Sequence, residues 1–186
     1  HLMSLTKALP PLRVAVVHPC DQVSLEGALH ARTQNVIDPI LVGPEAKIRA
    51  VAAEVGLDLT GVAIDPVPHS HAAALRAVEL VREGQVDSIM KGSLHTDELM
   101  EALIARSSGL RTERRVSHVF VFDVPTYPRP LLITDAAINI NPSLDAKRDI
   151  VQNAIDLAHA LGVEVPKVAI LSAVETVNPA IPSTLD

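Results

Sequence analysis

The chain has 186 residues and a formal net charge of -6, with 48% of its residues apolar and 20% charged, enough for one buried domain or one domain plus part of a second. The negative balance, with only Phe120, Phe122 and Tyr127 as aromatics, argues against a nucleic-acid partner, which would need a basic face and stacking platforms. No apolar run approaches the roughly 18 residues that cross a bilayer, so no membrane partner is expected, and the single cysteine, Cys20, points to a reducing cytoplasm.

Residues 1–3 (HLM) resemble a cloning remnant ahead of a native start near Met3 or Ser4. Residues 12–17 (LRVAVV) then read as a strand covered on both faces, because the run is β-branched with little alternation. A helix is expected over 21–32, a strand over 39–42 and a helix over 45–55 stopped by Gly56. A weaker strand follows at 62–67, then a helix over 70–83, a strand over 86–90 and a helix over 96–106. This alternation is the βαβ signature of a three-layer α/β domain. The texture changes near Gly109 to Arg111, where a domain boundary is expected. Beyond it, 115–124 and 130–134 read as a hairpin-like pair of strands, 143–161 as the longest helix, and 167–172 (KVAILS) as a buried strand. Ser183-Thr184-Leu185-Asp186 reads as a capping box that opens a helix, so the chain is expected to be a fragment.

Four segments have chemical potential. Met90-Lys91-Gly92-Ser93-Leu94-His95-Thr96 leaves a strand and enters a helix, at the carboxyl end where open α/β sheets bind ligands. Gly92 would let the backbone approach a ligand, Ser93 and Thr96 supply hydroxyls, Lys91 a charge, and the turn its amides. That set suits an anion, phosphate above all. The alternative is a capped helix, with Thr96 as N-cap and Asp97 and Glu98 in the first turn. Arg106, Arg111, Arg114 and Arg115 could clamp the phosphates of a nucleotide-like cofactor, or lie in a solvated loop where Glu113 neutralises one of them. In residues 134–142, Asp135 and Asn139 could orient a ligand, or the stretch is turn and N-cap chemistry. In residues 172–182, Glu175, Thr176 and Asn178 follow the last strand as ligand loop or connector. His69 and His71 alternate as in a strand but lack further ligands for a metal. Cys20 has no evident basic partner and reads as a structural thiol.

The strings RVAVVHPCDQVSLEGAL, MKGSLHTDELM, RVSHVFVFDVPTYPRPLLITDAAINI and VPKVAILSAVETVNPAIPSTLD together resemble the phosphotransacetylase/phosphotransbutyrylase family over residues 12–186. The string SAVETVNP leans toward the butyryltransferase branch. The resemblance implies the isocitrate/isopropylmalate dehydrogenase-like fold, α/β and three-layer α/β/α. Residues 4–110 would be a first domain lacking its C-terminal return segment, and 111–186 the start of a second, through which homodimers form. The implied reaction converts acyl-CoA (acetyl or butyryl) and phosphate to acyl phosphate and free coenzyme A. Coenzyme A is then a co-substrate, with no bound cofactor and no metal.

By motif position, Gly92, Ser93, His95 and Thr96, with Lys91 beside them, match the family's phosphate-side loop, and Ser117, Asp135 and Asn139 its second-domain positions. Arg111, Arg114 and Arg115 would serve coenzyme A. The resemblance puts the base in a C-terminal segment that these residues do not include, so no catalytic residue is assigned here and activity is expected to need that segment. Two alternatives remain: a dehydrogenase of the same fold, which would need a nicotinamide site and metal-binding carboxylates, and a non-catalytic module that binds coenzyme A or phosphate.

Overall fold

A computed structural model describes residues 2–172 and 174–185. A first compact unit runs through Arg111 and a second begins at Thr112. In the first, a short helix α1 (Leu2–Thr6) with no buried residue precedes the sheet. This helix overlaps the expected remnant, of which His1 lies outside the described residues. Strands β1 (Leu12–Val17), β2 (Ile37–Gly43), β3 (Ala63–Pro66) and β4 (Ser88–Lys91) form one sheet in the order β3-β2-β1-β4, every pair parallel. Helices α2 (Gln22–Thr33), α3 (Glu45–Val55), α4 (Ser70–Arg82) and α5 (Thr96–Ile104) connect and follow the strands.

The side chains of β1 explain the layering. Val14 and Val16 pack with Leu25, Ala28 and Leu29 of α2 and Ile48 and Ala52 of α3. Ala15 and Val17 point the other way, onto Ala73, Ala74, Ala77 and Leu80 of α4 and Leu99 and Ala102 of α5. A strand covered on both faces must be apolar at successive residues, and Val14 to Val17 are all buried. Two helices thus lie on each side of the sheet, as the three-layer expectation requires. Asp21 caps α2 by accepting a hydrogen bond from the Ser24 amide at 2.8 Å. Gly56 ends α3 at φ 70, a left-handed conformation that favours glycine.

Several expectations change in detail. His69 and His71 do not alternate along a strand: His69 caps α4, its Nδ1 accepting from the Ala72 amide at 3.2 Å, and His71 lies in the first turn. The helix expected over 96–106 ends at Ile104, and Arg106–Ser108 forms a separate 3-10 turn.

The second unit pairs β5 (Val119–Phe122) with β6 (Leu131–Thr134), antiparallel, with Phe120 opposite Ile133 and Phe122 opposite Leu131. Helix α6 (Leu144–Ala160) is capped by the Ser143 hydroxyl and buries Ala146, Ile150 and Ala158. The strand expected over 115–124 is shorter because side chains take its backbone groups. Asp149 accepts from the Arg115 backbone amide at 3.0 Å, and the side-chain Nδ2 groups of Asn153 and Asn139 donate to the Arg115 and Val116 carbonyls, each at 2.9 Å. The segment 167–172 is not a buried strand: it pairs with no strand among the described residues, and Leu171 is 89% exposed. An apolar run becomes a buried strand only where a sheet edge and a covering layer receive it. Of the expected capping box, Asp186 lies outside the described residues, and Thr184 ends the 3-10 turn Pro182–Thr184.

Candidate functional site

In the first unit the order β3-β2-β1-β4 reverses direction between β1 and β4, so the loops leaving those two strands are neighbours at the carboxyl edge of the sheet. This is the switch point at which open α/β sheets bind ligands. The two loops are stitched together. The Gly92 amide donates to Val17 O at 2.9 Å and the Ser93 amide to His18 O at 3.0 Å. The Ser93 hydroxyl also donates to His18 O at 2.9 Å and accepts from the Cys20 amide at 3.1 Å. His18 Nδ1 lies 2.9 Å from Ser93 O, and the His18 amide donates to Val42 O at 2.7 Å. The amides of Gly92 and Ser93 expected to face an anion thus complete the sheet, and the Ser93 hydroxyl proton is committed. A Cβ on Gly92 would meet Val17 O at 2.3 Å and His18 O at 2.8 Å. The close approach that glycine permits here is to the neighbouring loop.

What the loop leaves available is Lys91, His95 and Thr96, all exposed. Lys91 Nζ makes a 3.4 Å contact with the Gly92 carbonyl. His95, not Thr96, is the N-cap of α5, without a side-chain capping bond, and Thr96 is the first helical residue. The first amides of any helix lack intrahelical acceptors. Glu98 in that turn accepts from the Ser70 hydroxyl at 2.6 Å. A surface depression of about 620 Å³ on the flank of α5 is lined by Asp97, Met100, Glu101, Ile104 and Ala105. It carries two acids and no cation, so it is not where an anion would be held.

Asp21 stands beside these groups. Hydrogen bonds from the Ser24 hydroxyl and amide hold its carboxyl below the usual range, and the charges of Lys91 and His18 act in the same direction. Burial pushes the Cys20 thiol up, against a smaller opposing pull from Lys47 and with a further push from Asp21, so it is kept in its protonated, unreactive form. His18 was not among the expected site residues. In the sequence it only ends a strand, and its neighbourhood depends on β4 lying next to β1.

In the second unit, Asp135 organises the loop after β6. Its Oδ1 accepts from the amides of His118 at 3.3 Å, Ala137 at 3.1 Å and Ile138 at 3.1 Å. Oδ2 accepts from the Asn139 amide at 3.1 Å and from its side-chain Nδ2. Desolvation pushes this carboxyl up, but the bonds from Asn139, Ile138, Ala137 and His118 outweigh it and hold it below its ordinary value. Asp135 and Asn139 are therefore joined to each other and to the chain that carries Ser117. The Ser117 hydroxyl accepts from Asn153 Nδ2 at 2.9 Å. Arg114 is paired with Asp156, not with Glu113, and each is 47% exposed. Arg115 and, in the first unit, Arg111 are exposed. Glu175, Thr176 and Asn178 are exposed, with Asn178 closing a local turn through Ala180 and Thr184. Among the described residues no three His, Cys, Asp or Glu side chains are grouped to hold a metal ion, and no helix is long and apolar enough to cross a membrane.

A parallel sheet between helices, with polar loops at its switch point, puts the chain in the class of α/β proteins that the phosphotransacylase structures represent. A branched-chain phosphotransacylase from Enterococcus faecalis V583 superposes with a TM-score of 0.75 at 27% identity, covering 94% of this chain and 60% of that one. The family model described as phosphate acetyl/butaryl transferase matches residues 69–186, and the chain belongs to that family. It is 60% identical over 185 residues to a phosphate acetyltransferase of Rhizobium meliloti, covering all of this chain and 58% of that relative. It is 42% identical over 174 residues to a phosphate butyryltransferase of Clostridium acetobutylicum, covering 94% of this chain and 58% of the relative. The chain thus spans little more than half the length of these curated relatives.

Proposed function

We propose that the chain is part of a phosphate acyltransferase that moves a short acyl group between coenzyme A and phosphate. The observation that carries this reading is the 60% identity, across the whole chain, to a relative named for that activity. In the direction of acyl-CoA synthesis, the coenzyme A thiol loses its proton to a base, and its sulfur attacks the acyl-phosphate carbonyl carbon. The carbon–oxygen bond to phosphate then breaks and phosphate leaves. A free thiol is only a few per cent ionised at neutral pH, so a base is needed, and donors must hold the developing oxyanion. No base is assigned within residues 1–186.

Lys91, His95 and Thr96 are the members of the 91–96 loop proposed to meet the phosphate group, with Gly92 and Ser93 shaping it. Ser117, Asp135 and Asn139 are proposed to define the acyl-phosphate side of the second unit, with Asp135 and Asn139 acting by holding the Ser117 segment. Arg111 and Arg115 are proposed to serve the coenzyme A phosphates, Arg114 less so because Asp156 already neutralises it. The identities favour acetyl over the butyryl lean of SAVETVNP. The finer fold reading is the isocitrate dehydrogenase-like one, with domains 4–110 and 111–186. A cytoplasmic location agrees with the single thiol. Homodimerisation through the second domain is supported by one apolar face of β5 and β6, where Phe120, Phe122, Leu131 and Ile133 are 40% to 49% exposed.

The test is phosphate-dependent thiol release from acetyl-CoA and butyryl-CoA by a full-length protein containing this chain. Release that requires phosphate, faster with acetyl-CoA, is expected. Turnover of NAD(P) instead would mark the dehydrogenase alternative, and coenzyme A binding without turnover the non-catalytic module.

A further inference from the structure

The imidazole of His18 is held by one nitrogen and free at the other. Its Nδ1 faces the Ser93 carbonyl at 2.9 Å, and a carbonyl can only accept, so Nδ1 carries the hydrogen. Nε2 takes no hydrogen bond among the described residues and is not among the enclosed unpaired polar atoms. It is therefore reachable from solvent although the residue is half-buried. The ring is locked in place because its own backbone is locked: His18 O receives the Ser93 amide and hydroxyl, and His18 N is bound to β2. His18 sits at φ 52, a left-handed conformation that non-glycine residues adopt at a cost. Lys91 of β4 and His18 both act on Asp21 at the start of α2, and Lys47 of α3 acts on the adjacent Cys20. Asp21 is occupied by its two bonds from Ser24, at 2.8 and 2.5 Å. Among the described residues, Lys91 Nζ has one hydrogen-bond contact, to the Gly92 carbonyl at 3.4 Å.

We propose that His18 is a phosphate-binding residue: its Nε2–H, with the Lys91 ammonium, binds an oxygen of a phosphate group at the switch point between β1 and β4. The inference rests on the acyltransferase reading for the identity of the anion. With hydrogen on both nitrogens, the ring gives one N–H to Ser93 O and the other to the ligand. Two donors on different strands, one of them rigid, suit a tetrahedral oxyanion better than a lysine alone, which is a mobile point charge. The phosphate could be inorganic phosphate, the same group on an acyl phosphate, or a phosphate of coenzyme A. Their common chemistry is what the two cations recognise.

The test uses a full-length protein containing this chain, labelled with nitrogen-15. Long-range proton–nitrogen spectra report the protonation of each ring nitrogen of His18 while inorganic phosphate or coenzyme A is added, and calorimetry gives the affinities. A saturable shift of the His18 Nε2 signals, with hydrogen on both ring nitrogens in the complex, is the expected result. The same shift with coenzyme A but not with inorganic phosphate would support the site and place its ligand on the cofactor. The variant His18→Asn keeps a side-chain N–H able to reach Ser93 O and tolerates positive φ, yet lacks Nε2. It should weaken binding about tenfold, the loss of one charge-assisted bond, with an unchanged urea midpoint. Phosphate binding with unmoved His18 signals, or with wild-type affinity in His18→Asn, overturns the inference and leaves the acyltransferase reading standing. A wild-type full-length protein that binds neither phosphate nor coenzyme A overturns both.

Discussion

Val17 and Gly92 approach so closely, where β1 and β4 end, that a methyl group on Gly92 would lie 2.3 Å from the Val17 carbonyl oxygen. The neighbouring obstacles, His18 O and C at 2.8 and 2.9 Å, are also backbone, so no flexible side chain can yield. Gly92→Ala must push the two strand ends apart and loosen the amide bonds of Gly92 and Ser93. A loss of about 3 kcal/mol is expected in urea unfolding, at the upper end of overpacking costs. Gly27→Ala is the control. Its Cβ would meet only Met90 Cε at 3.9 Å, and alanine in a helix gains about 0.5–1 kcal/mol.

Ser93 and Thr96 should separate in their effects. Ser93→Ala removes a donor to His18 O and one of the two acceptors of the Cys20 amide, which keeps its 2.8 Å bond to His18 O, a loss of about 1 kcal/mol in urea unfolding. Thr96→Ala removes an exposed hydroxyl at the first position of α5, leaving the urea midpoint almost unmoved while weakening phosphate binding. Equal stability losses in both variants would contradict this division.

Asp135 predicts an acid-sensitive second unit. Its carboxyl is held below its ordinary value in the fold. Its stabilisation is therefore complete above the unfolded-state pKa of about 4 and is lost as pH falls through the lower folded value. Acid unfolding followed through Asn139 and His118 amide resonances should begin below about pH 4. Asp135→Asn should lose about 2 kcal/mol at neutral pH, since it weakens charge-assisted bonds, and should flatten that acid dependence.

The arginines give a salt-dependent contrast. Arg114 and Asp156 are both half exposed, so Arg114→Ala should lower the unfolding midpoint only slightly and the difference should vanish at high salt. Arg111→Ala and Arg115→Ala should leave the unfolding midpoint unchanged and weaken coenzyme A binding in calorimetry. A larger affinity loss from Arg114→Ala than from either of these would reverse the proposed assignment.

Much of the first unit was legible in the residues. Local signals act over a few positions, so the largely apolar strand at Leu12–Val17, the helix beginning near Asp21 and the Gly56 stop could be placed without tertiary information. The alternation of strand and helix was enough for a parallel sheet between helices. In the second unit Ser143 at the start of α6 was equally local. The 90–96 segment was visible as a polar turn on a strand end, but its partners were not. Strand order alone brings His18 against Ser93, 75 positions away in the chain, and the pairing with β1 consumes the amides that looked free. Asp135 looked like a ligand group because a carboxylate after a strand is one in many proteins. Only the fold shows its oxygens filled by His118, Ala137, Ile138 and Asn139. Residues 167–172 have the composition of a buried strand, yet burial needs an edge and a cover that lie outside the segment itself. Propensity and capping are properties of neighbours in sequence, whereas satisfaction of a hydrogen bond or an apolar face is decided by whatever the chain brings back to it.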